Sequence, residues 1–208
     1  MYSYKDSKLQ SSTCMKPLEY LLDAKVMGLS SYYMKPGEGD PTIDILLISI
    51  GDIVDATINI ETVKKVTIKK TGKLGSDTIL PGDVVLTLRD QPSHAQPFRA
   101  AVAGKEIAGA ALSANLVGLR CSNQIRPEIL AAWLNSSAGQ RALAPKAGVS
   151  TLISLPLKDL LQIEIAVPSL EQQEILSKYL ALAAEYTRLL KEEQKLLGSV
   201  IDSMMNTL

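Results

Sequence analysis

The apolar positions after residue 169 recur every seven residues in three adjacent columns. One column is Ile175, Leu182, Leu189 and Leu196; the next is Leu176, Ala183, Leu190, Leu197 and Met204; the third is Tyr179, Tyr186, Glu193 and Val200. A sustained seven-residue repeat is the pattern of a helix that packs lengthwise on another long helix. Its start is marked by Pro168 and by Ser169 followed three residues later by Gln172, a capping box that satisfies the first free N–H groups. From Leu170 to about Met205 the helix would reach roughly 54 Å at about 1.5 Å per residue, more than one small domain covers. The pattern therefore predicts a helix made to meet a partner.

Upstream the pattern changes to short, mostly β-type runs. Residues 18–27 read as a short helix or a strand. Ile43–Ile50 is apolar and β-branched before the turn Gly51-Asp52. Val63–Ile68 is a strand ending at Lys69-Lys70-Thr71-Gly72. Pro81-Gly82-Asp83 is a tight turn feeding the strand Val84–Leu88. Ala100–Ala103 and Leu116–Leu119 are further strands around the small-residue stretch 109–114. Pro127 opens a helix through Leu134, and Trp133 packs in its core side. A second helix, Gly139–Leu143, leads into a loop over 145–151, and Leu161–Val167 alternates as a last strand. The expected fold is α+β: a small curved β-rich domain with its loops gathered on one side, followed by one long C-terminal coiled-coil helix. The expected division is an N-terminal segment 1–16, a domain 17–168 and a helix 169–208.

Composition narrows the chemistry. The chain has 208 residues, two cysteines, one histidine and zero formal net charge. Cys14 and Cys121 are too few for a disulfide framework or a four-ligand zinc site. No run reaches the roughly 18 apolar residues of a membrane span, and the first sixteen residues are polar, unlike a secretory signal. A cytoplasmic protein is expected. His94 alone excludes histidine triads and multi-histidine metal sites within one chain. There is no phosphate-cradling GxxxxGK[ST] loop, and Glu193-Gln194-Lys195 lies mid-helix rather than in a nuclease site. No metal, no bound cofactor and no catalysis by this chain are expected.

Charge is unevenly spread. Residues 1–63 carry five lysines against nine carboxylates (−4), residues 64–150 twelve Lys/Arg against five (+7), and residues 151–208 five against eight (−3). A +7 block on a neutral protein suits a face for phosphate. Lys69, Lys70 and Lys73 are phosphate candidates, although a lysine cluster on a strand pair also serves to blunt a sheet edge. Base edges are read by Arg, Lys, Asn, Gln, Ser or Thr on loops. The loop from Arg89 to Arg99, with Ser93, His94 and Gln96, is the first candidate. Lys146, Ser150 and Thr151 form a second set. Loop solvation is the competing explanation for both.

Four stretches in order resemble one family. They are Ile79-Leu80-Pro81-Gly82-Asp83-Val84-Val85-Leu86; Ala110–Leu116 leading to Leu119-Arg120; Trp133-Leu134-Asn135-Ser136-Ser137-Ala138-Gly139; and Ile163–Val167 with Pro168-Ser169-Leu170-Glu171-Gln172-Gln173-Glu174-Ile175. Together they resemble the target-recognition domain and conserved helix of type I restriction-modification specificity subunits. There are two departures. Asp90 stands where the family has a glycine after the strand arginine, here Arg89, and typical members hold two such domains and two such helices.

The resemblance implies a non-catalytic specificity subunit that binds double-stranded DNA and a DNA adenine methyltransferase subunit, with S-adenosylmethionine carried by that partner. In complete systems it also implies a restriction/translocase subunit. The apolar columns add an expected homodimer through Ile175, Leu176, Tyr179, Leu182, Ala183, Tyr186, Leu189, Leu190, Leu196, Leu197, Val200 and Met204. A decoy, regulator or adaptor that binds a methyltransferase through the helix but reads no DNA is the alternative.

Overall fold

A computed structural model describes residues 14–70, 78–90, 96–149 and 153–206. In chain order the strands begin with β1 (Cys14–Pro17), β2 (Leu22–Met27), β3 (Thr42–Ile48), β4 (Ile53–Val54), β5 (Thr57–Ile58), β6 (Lys64–Lys69) and β7 (Val84–Thr87). They continue with β8 (Arg89–Asp90), β9 (Ala100–Val102), β10 (Ala111–Leu112), β11 (Leu116–Cys121), β12 (Gly148–Val149), β13 (Ile153–Ser154) and β14 (Glu164–Val167). The helices are α1 (Pro127–Asn135), α2 (Ser137–Leu143), α3 (Leu157–Leu161) and α4 (Leu170–Met205). Two compact units result, residues 1–169 and 170–208.

Every residue of β7 is buried, which is why Val84–Thr87 reads as a continuous run rather than an alternation. It lies inside the antiparallel sheet β2-β11-β7-β9, with Leu116 opposite Thr87 and Val84 opposite Val102. Gly118 on β11 makes room for packing over the sheet: a Cβ there would lie 2.6 Å from Ile79 Cδ1 and 3.1 Å from Val26 Cβ. Both neighbours belong to the main core with Ile48, Ile107, Leu112 and Leu116.

The edge of this sheet is closed by a side chain. Asn135, the last residue of α1, donates through Nδ2 to the Ala100 carbonyl at 2.8 Å and accepts from the Ala100 N–H at 2.9 Å. One amide thus satisfies the donor and the acceptor of an edge residue, as a neighbouring strand would. Pro127 occupies the first turn of α1, while Ile129, Leu130, Ala131 and Leu134 are buried; Trp133 is half-buried.

A second sheet, β10-β3-β6, pairs β3 antiparallel with β6 and parallel with β10. The small-residue stretch thus contains a strand that periodicity did not reveal, because two residues are too few to show a period. Residues 18–27 resolve into a 3-10 turn followed by β2. The expected strand over 161–167 is shorter: Pro156 opens α3, whose Leu160 and Leu161 are buried, and only Glu164–Val167 is extended. The expected loop over 145–151 holds the end of a 3-10 turn, Ala144–Lys146, and then β12. The described strands form five small sheets of two to four strands.

The turn before β7 rests on Asp83, whose side chain is 1% exposed. Its carboxylate accepts the Leu80 N–H at 2.8 Å and both nitrogens of the Arg120 fork, Nε at 2.9 Å and Nη2 at 2.8 Å. Removing one partner of a buried pair costs about 3–5 kcal/mol; the Arg120 side chain is 29% exposed, so Asp83→Ala is expected to cost about 2–3 kcal/mol. Lys65→Ala breaks only the exposed Lys65–Asp44 pair and should cost less than about 1 kcal/mol. Urea unfolding of the two variants measures the contrast.

Candidate nucleic-acid interface

The sheet β12-β13-β8 joins two segments far apart in sequence. Arg89 lies opposite Ser154 and Asp90 opposite Ile153, while Gly148 and Val149 pair with Ser154 and Ile153. The Leu155 N–H extends this pairing to the Leu88 carbonyl at 2.8 Å. The start of the Arg89–Arg99 connection and the arms flanking residues 150–152 thus share one small sheet. Arg89 is exposed, with Nε donating to Ser154 Oγ at 3.2 Å. Gln96 is exposed and donates to the Asn135 carbonyl at 3.3 Å. Lys146 is exposed on the 3-10 turn before β12. Lys73, Ser93, His94, Ser150 and Thr151 lie outside the described residues.

Arg99 has a different role from the one its loop position suggested. Its guanidinium donates to the Ile53 carbonyl at 2.9 Å and to Asp90 Oδ2 at 2.9 Å, and the Asp90 side chain is 3% exposed. Asp90 and Arg99 stand at the two ends of the connection, so their ion pair closes its base. Thr87 strengthens the closure: its hydroxyl donates to the Pro97 carbonyl at 2.7 Å and accepts the Arg99 N–H at 2.8 Å. Phe98 is buried, and its carbonyl accepts from Gln140 on α2 at 2.7 Å. The Arg99 guanidinium is thus bonded to partners within the domain. Asp90, the residue that departs from the family's glycine, is its counter-ion.

The lysines of β6 are also partly committed. Lys69 Nζ lies 3.0 Å from Asp40 Oδ1 and 3.0 Å from the Tyr32 hydroxyl. The Tyr32 hydrogen bond and then Asp40 raise the Lys69 pKa; the Gly37 N–H and then Lys69 hold Asp40 below the usual carboxylate range. Lys65 is paired with Asp44, which also accepts from Thr67. Lys70 is exposed and makes no ion pair among the described residues. These lysines sit at the edge of the sheet β10-β3-β6, separate from the sheet that carries Arg89. Part of the +7 block is therefore neutralised locally, whereas Arg89, Lys70 and Lys146 are exposed.

The remaining motif residues build the frame. Ser136 accepts the Gly139 N–H at 3.1 Å as the cap of α2. A Cβ on Gly139 would fall 2.1 Å from the Trp133 carbonyl, so only glycine fits. Asn135, Asp90, Asp40 and Tyr32 were not singled out as site or frame residues by spacing. The available signals were a polar residue at the end of an apolar helix and, for Asp90, a carboxylate inside a basic block. Among the described residues no group of His, Cys, Asp and Glu is arranged to hold a metal ion, and no helix is long and apolar enough to cross a membrane.

No protein-family model matches the sequence, and no curated protein matches it. Solved structures do. A chain from a structure concerned with complex assembly and conformational transition of the type I R-M system matches with a TM-score of 0.60 at 20% identity, over 93% of this chain and 43% of the other. The HsdS subunit from Thermoanaerobacter tengcongensis gives 0.58 at 19%, over 92% and 42%. The type I restriction-modification S subunit from M. genitalium gives 0.50 at 11%, over 86% and 40%. The fold is thus that of type I specificity subunits, and the chain spans under half the length of these structures.

Two outcomes follow from the site. Arg89→Ala should leave thermal stability nearly unchanged, whereas Arg99→Ala should destabilise by about 2–4 kcal/mol by removing the counter-ion of buried Asp90; calorimetry separates them. Burial first, then Asp83, Glu128 and Asp23, push the Cys121 thiol up to about 12. Because the folded value is raised, its contribution to stability is present at neutral pH and fades as pH rises from the ordinary thiol range toward 12. At pH 8 native protein should react with a thiol reagent at Cys14 and not at Cys121, and unfolded protein at both, as counted by mass spectrometry.

Proposed function

We propose that this chain is a DNA specificity subunit of a type I restriction-modification system, working as a homodimer through α4. The single observation that carries the reading is a fold of that class joined to a 36-residue helix whose apolar columns are exposed. Ile175, Leu176, Tyr179, Leu182, Tyr186, Leu189, Leu190, Leu196, Leu197, Val200 and Met204 are 40–67% exposed, and Ala183 between them is exposed too. A continuous apolar stripe of this length marks an interaction surface. A second copy running antiparallel is the simplest cover, since a two-fold axis makes one patch complementary to itself.

In this reading each copy places one recognition domain on DNA and the paired helices set the distance between half-sites. Arg89, Lys146 and Lys70 supply phosphate contacts, and Gln96 is the described candidate for a base edge. The dimer positions DNA adenine methyltransferase subunits, which carry S-adenosylmethionine and take the target base out of the stack. In complete systems a restriction/translocase subunit docks as well. This chain contributes recognition and spacing and turns over no substrate.

Sedimentation at tens of micromolar should report a dimer, and Leu189→Glu with Leu190→Glu should give monomers that keep their helix content. A wild-type monomer with the helix intact would overturn the pairing. DNA binding should weaken steeply with salt, and Lys70→Ala with Arg89→Ala should flatten the log–log slope by roughly 1.8, about 0.9 per phosphate contact. An unchanged slope favours the adaptor that reads no DNA.

The site itself should be an inverted repeat, because a two-fold dimer presents the same loop twice. A helix of roughly 54 Å spans about 16 base pairs at about 3.4 Å each, an upper limit on the distance between half-site centres. Methylation mapping with the partner methyltransferase tests this, and an asymmetric site would mean that a different second chain completes the assembly.

A further inference from the structure

Eight positions on α4 form the seam of its apolar face: Ile175, Tyr179, Leu182, Tyr186, Leu189, Glu193, Leu196 and Val200. Their steps are four, three, four, three, four, three and four residues, which read the same from either end. Two copies running in opposite directions therefore match layer for layer, with α4 overlapping along its whole described length. Ile175 meets the partner's Val200, Tyr179 meets the partner's Leu196, and Tyr186 meets the partner's Leu189. The same steps also match two copies running in parallel, where each residue meets its own counterpart. Periodicity alone does not choose between them.

Glu193 does. It is the one charged member of the seam, and the residues three and four away on its own helix are Leu189, Leu190, Leu196 and Leu197. We infer that Glu193 selects the antiparallel arrangement by making the parallel one repulsive. In a parallel pair the two Glu193 carboxylates fall in one layer, flanked by Glu192 from each helix. Each Glu192 is paired with Arg188 of its own helix, which leaves the two Glu193 carboxylates facing each other among leucines. In the antiparallel pair Glu193 meets the partner's Leu182, and the two Glu193 side chains stand 11 residues apart along the axis. At about 1.5 Å per residue that is roughly 16 Å, beyond the screening length of about 8–10 Å in physiological salt.

The antiparallel arrangement also supplies an opposite charge. Lys178 lies one turn from Leu182, about 6 Å along the axis, so the partner's Lys178 is within side-chain reach of Glu193. In the chain itself Lys178 is on the surface, paired with Glu174 at 3.0 Å with its side chain 75% exposed. That exposed pairing is weak and easily exchanged. In the parallel arrangement Lys178 and Glu193 are 15 residues apart, roughly 22 Å, and cannot meet. Glu193 thus acts as a specificity device, weakening the seam in order to exclude the wrong orientation.

The inference rests on the proposed self-pairing of α4, and its test separates the two. In a Cys14→Ser background of the full chain, Val200→Cys alone reports parallel pairs, and Ile175→Cys with Val200→Cys reports antiparallel ones by oxidative cross-linking. With Glu193 present, only the double variant should form covalent dimers in high yield. Adding Glu193→Leu should make the single Val200→Cys variant cross-link at least tenfold more, with dimer yield in sedimentation maintained or increased. Glu193→Gln should fall between. Parallel cross-links with Glu193 in place, or none after Glu193→Leu in a dimer of intact helix content, overturn the role of Glu193. A monomer by sedimentation in the wild-type chain overturns the pairing and this inference with it.

Discussion

The interaction on which the domain depends is the buried carboxylate of Asp83. It holds the turn before β7 through the Leu80 N–H and ties that turn to β11 through the Arg120 fork. β7 is buried throughout and its register with β11 and β9 sets the position of every loop that leaves the sheet. Val84, Val85 and Leu86 are alike enough in size and character for apolar packing to tolerate a slip, whereas the bidentate ion pair and the Thr87 hydroxyl bonds do not. The Arg120 pKa is raised chiefly by its hydrogen bonds to Asp83.

From that sheet outward the same device recurs: polar side chains stand in for missing backbone partners. Asn135 closes the edge at Ala100, Thr87 satisfies Pro97 and Arg99, and Asp90 with Arg99 closes the base of the connection between β8 and β9. The connection is therefore held at both ends by buried groups while Arg89 and Gln96 remain exposed. The lysines of β6 show the opposite economy, since Asp40 and Asp44 offset Lys69 and Lys65.

The second unit has a different logic. α4 is held by its own backbone bonds and by exposed pairs such as Arg188 with Glu185 and Glu192, which are weak individually. Its apolar columns are exposed among the described residues. The solved structures that share the fold are more than twice as long as the portion matched here.

The sequence by itself determined the elements whose signal is local. The helix from Leu170 to Met205 was legible in its seven-residue columns, α1 in Pro127 and its apolar side, and β7 in its turn and unbroken apolar run. The four motif stretches pointed to the fold that the solved structures share. Only the tertiary structure decided what the polar residues do. Nothing in the spacing of Asp90, Arg99 and Asn135 shows that the first two pair across a loop base and the third completes a sheet edge. Two-residue strands such as β8, β10 and β13 exist only because a partner strand lies beside them. Helix periodicity is a property of consecutive residues, whereas the Asp90–Arg99 ion pair and the pairing of β8 with β13 join residues 9 and more than 60 positions apart, and that proximity is created only when the chain folds.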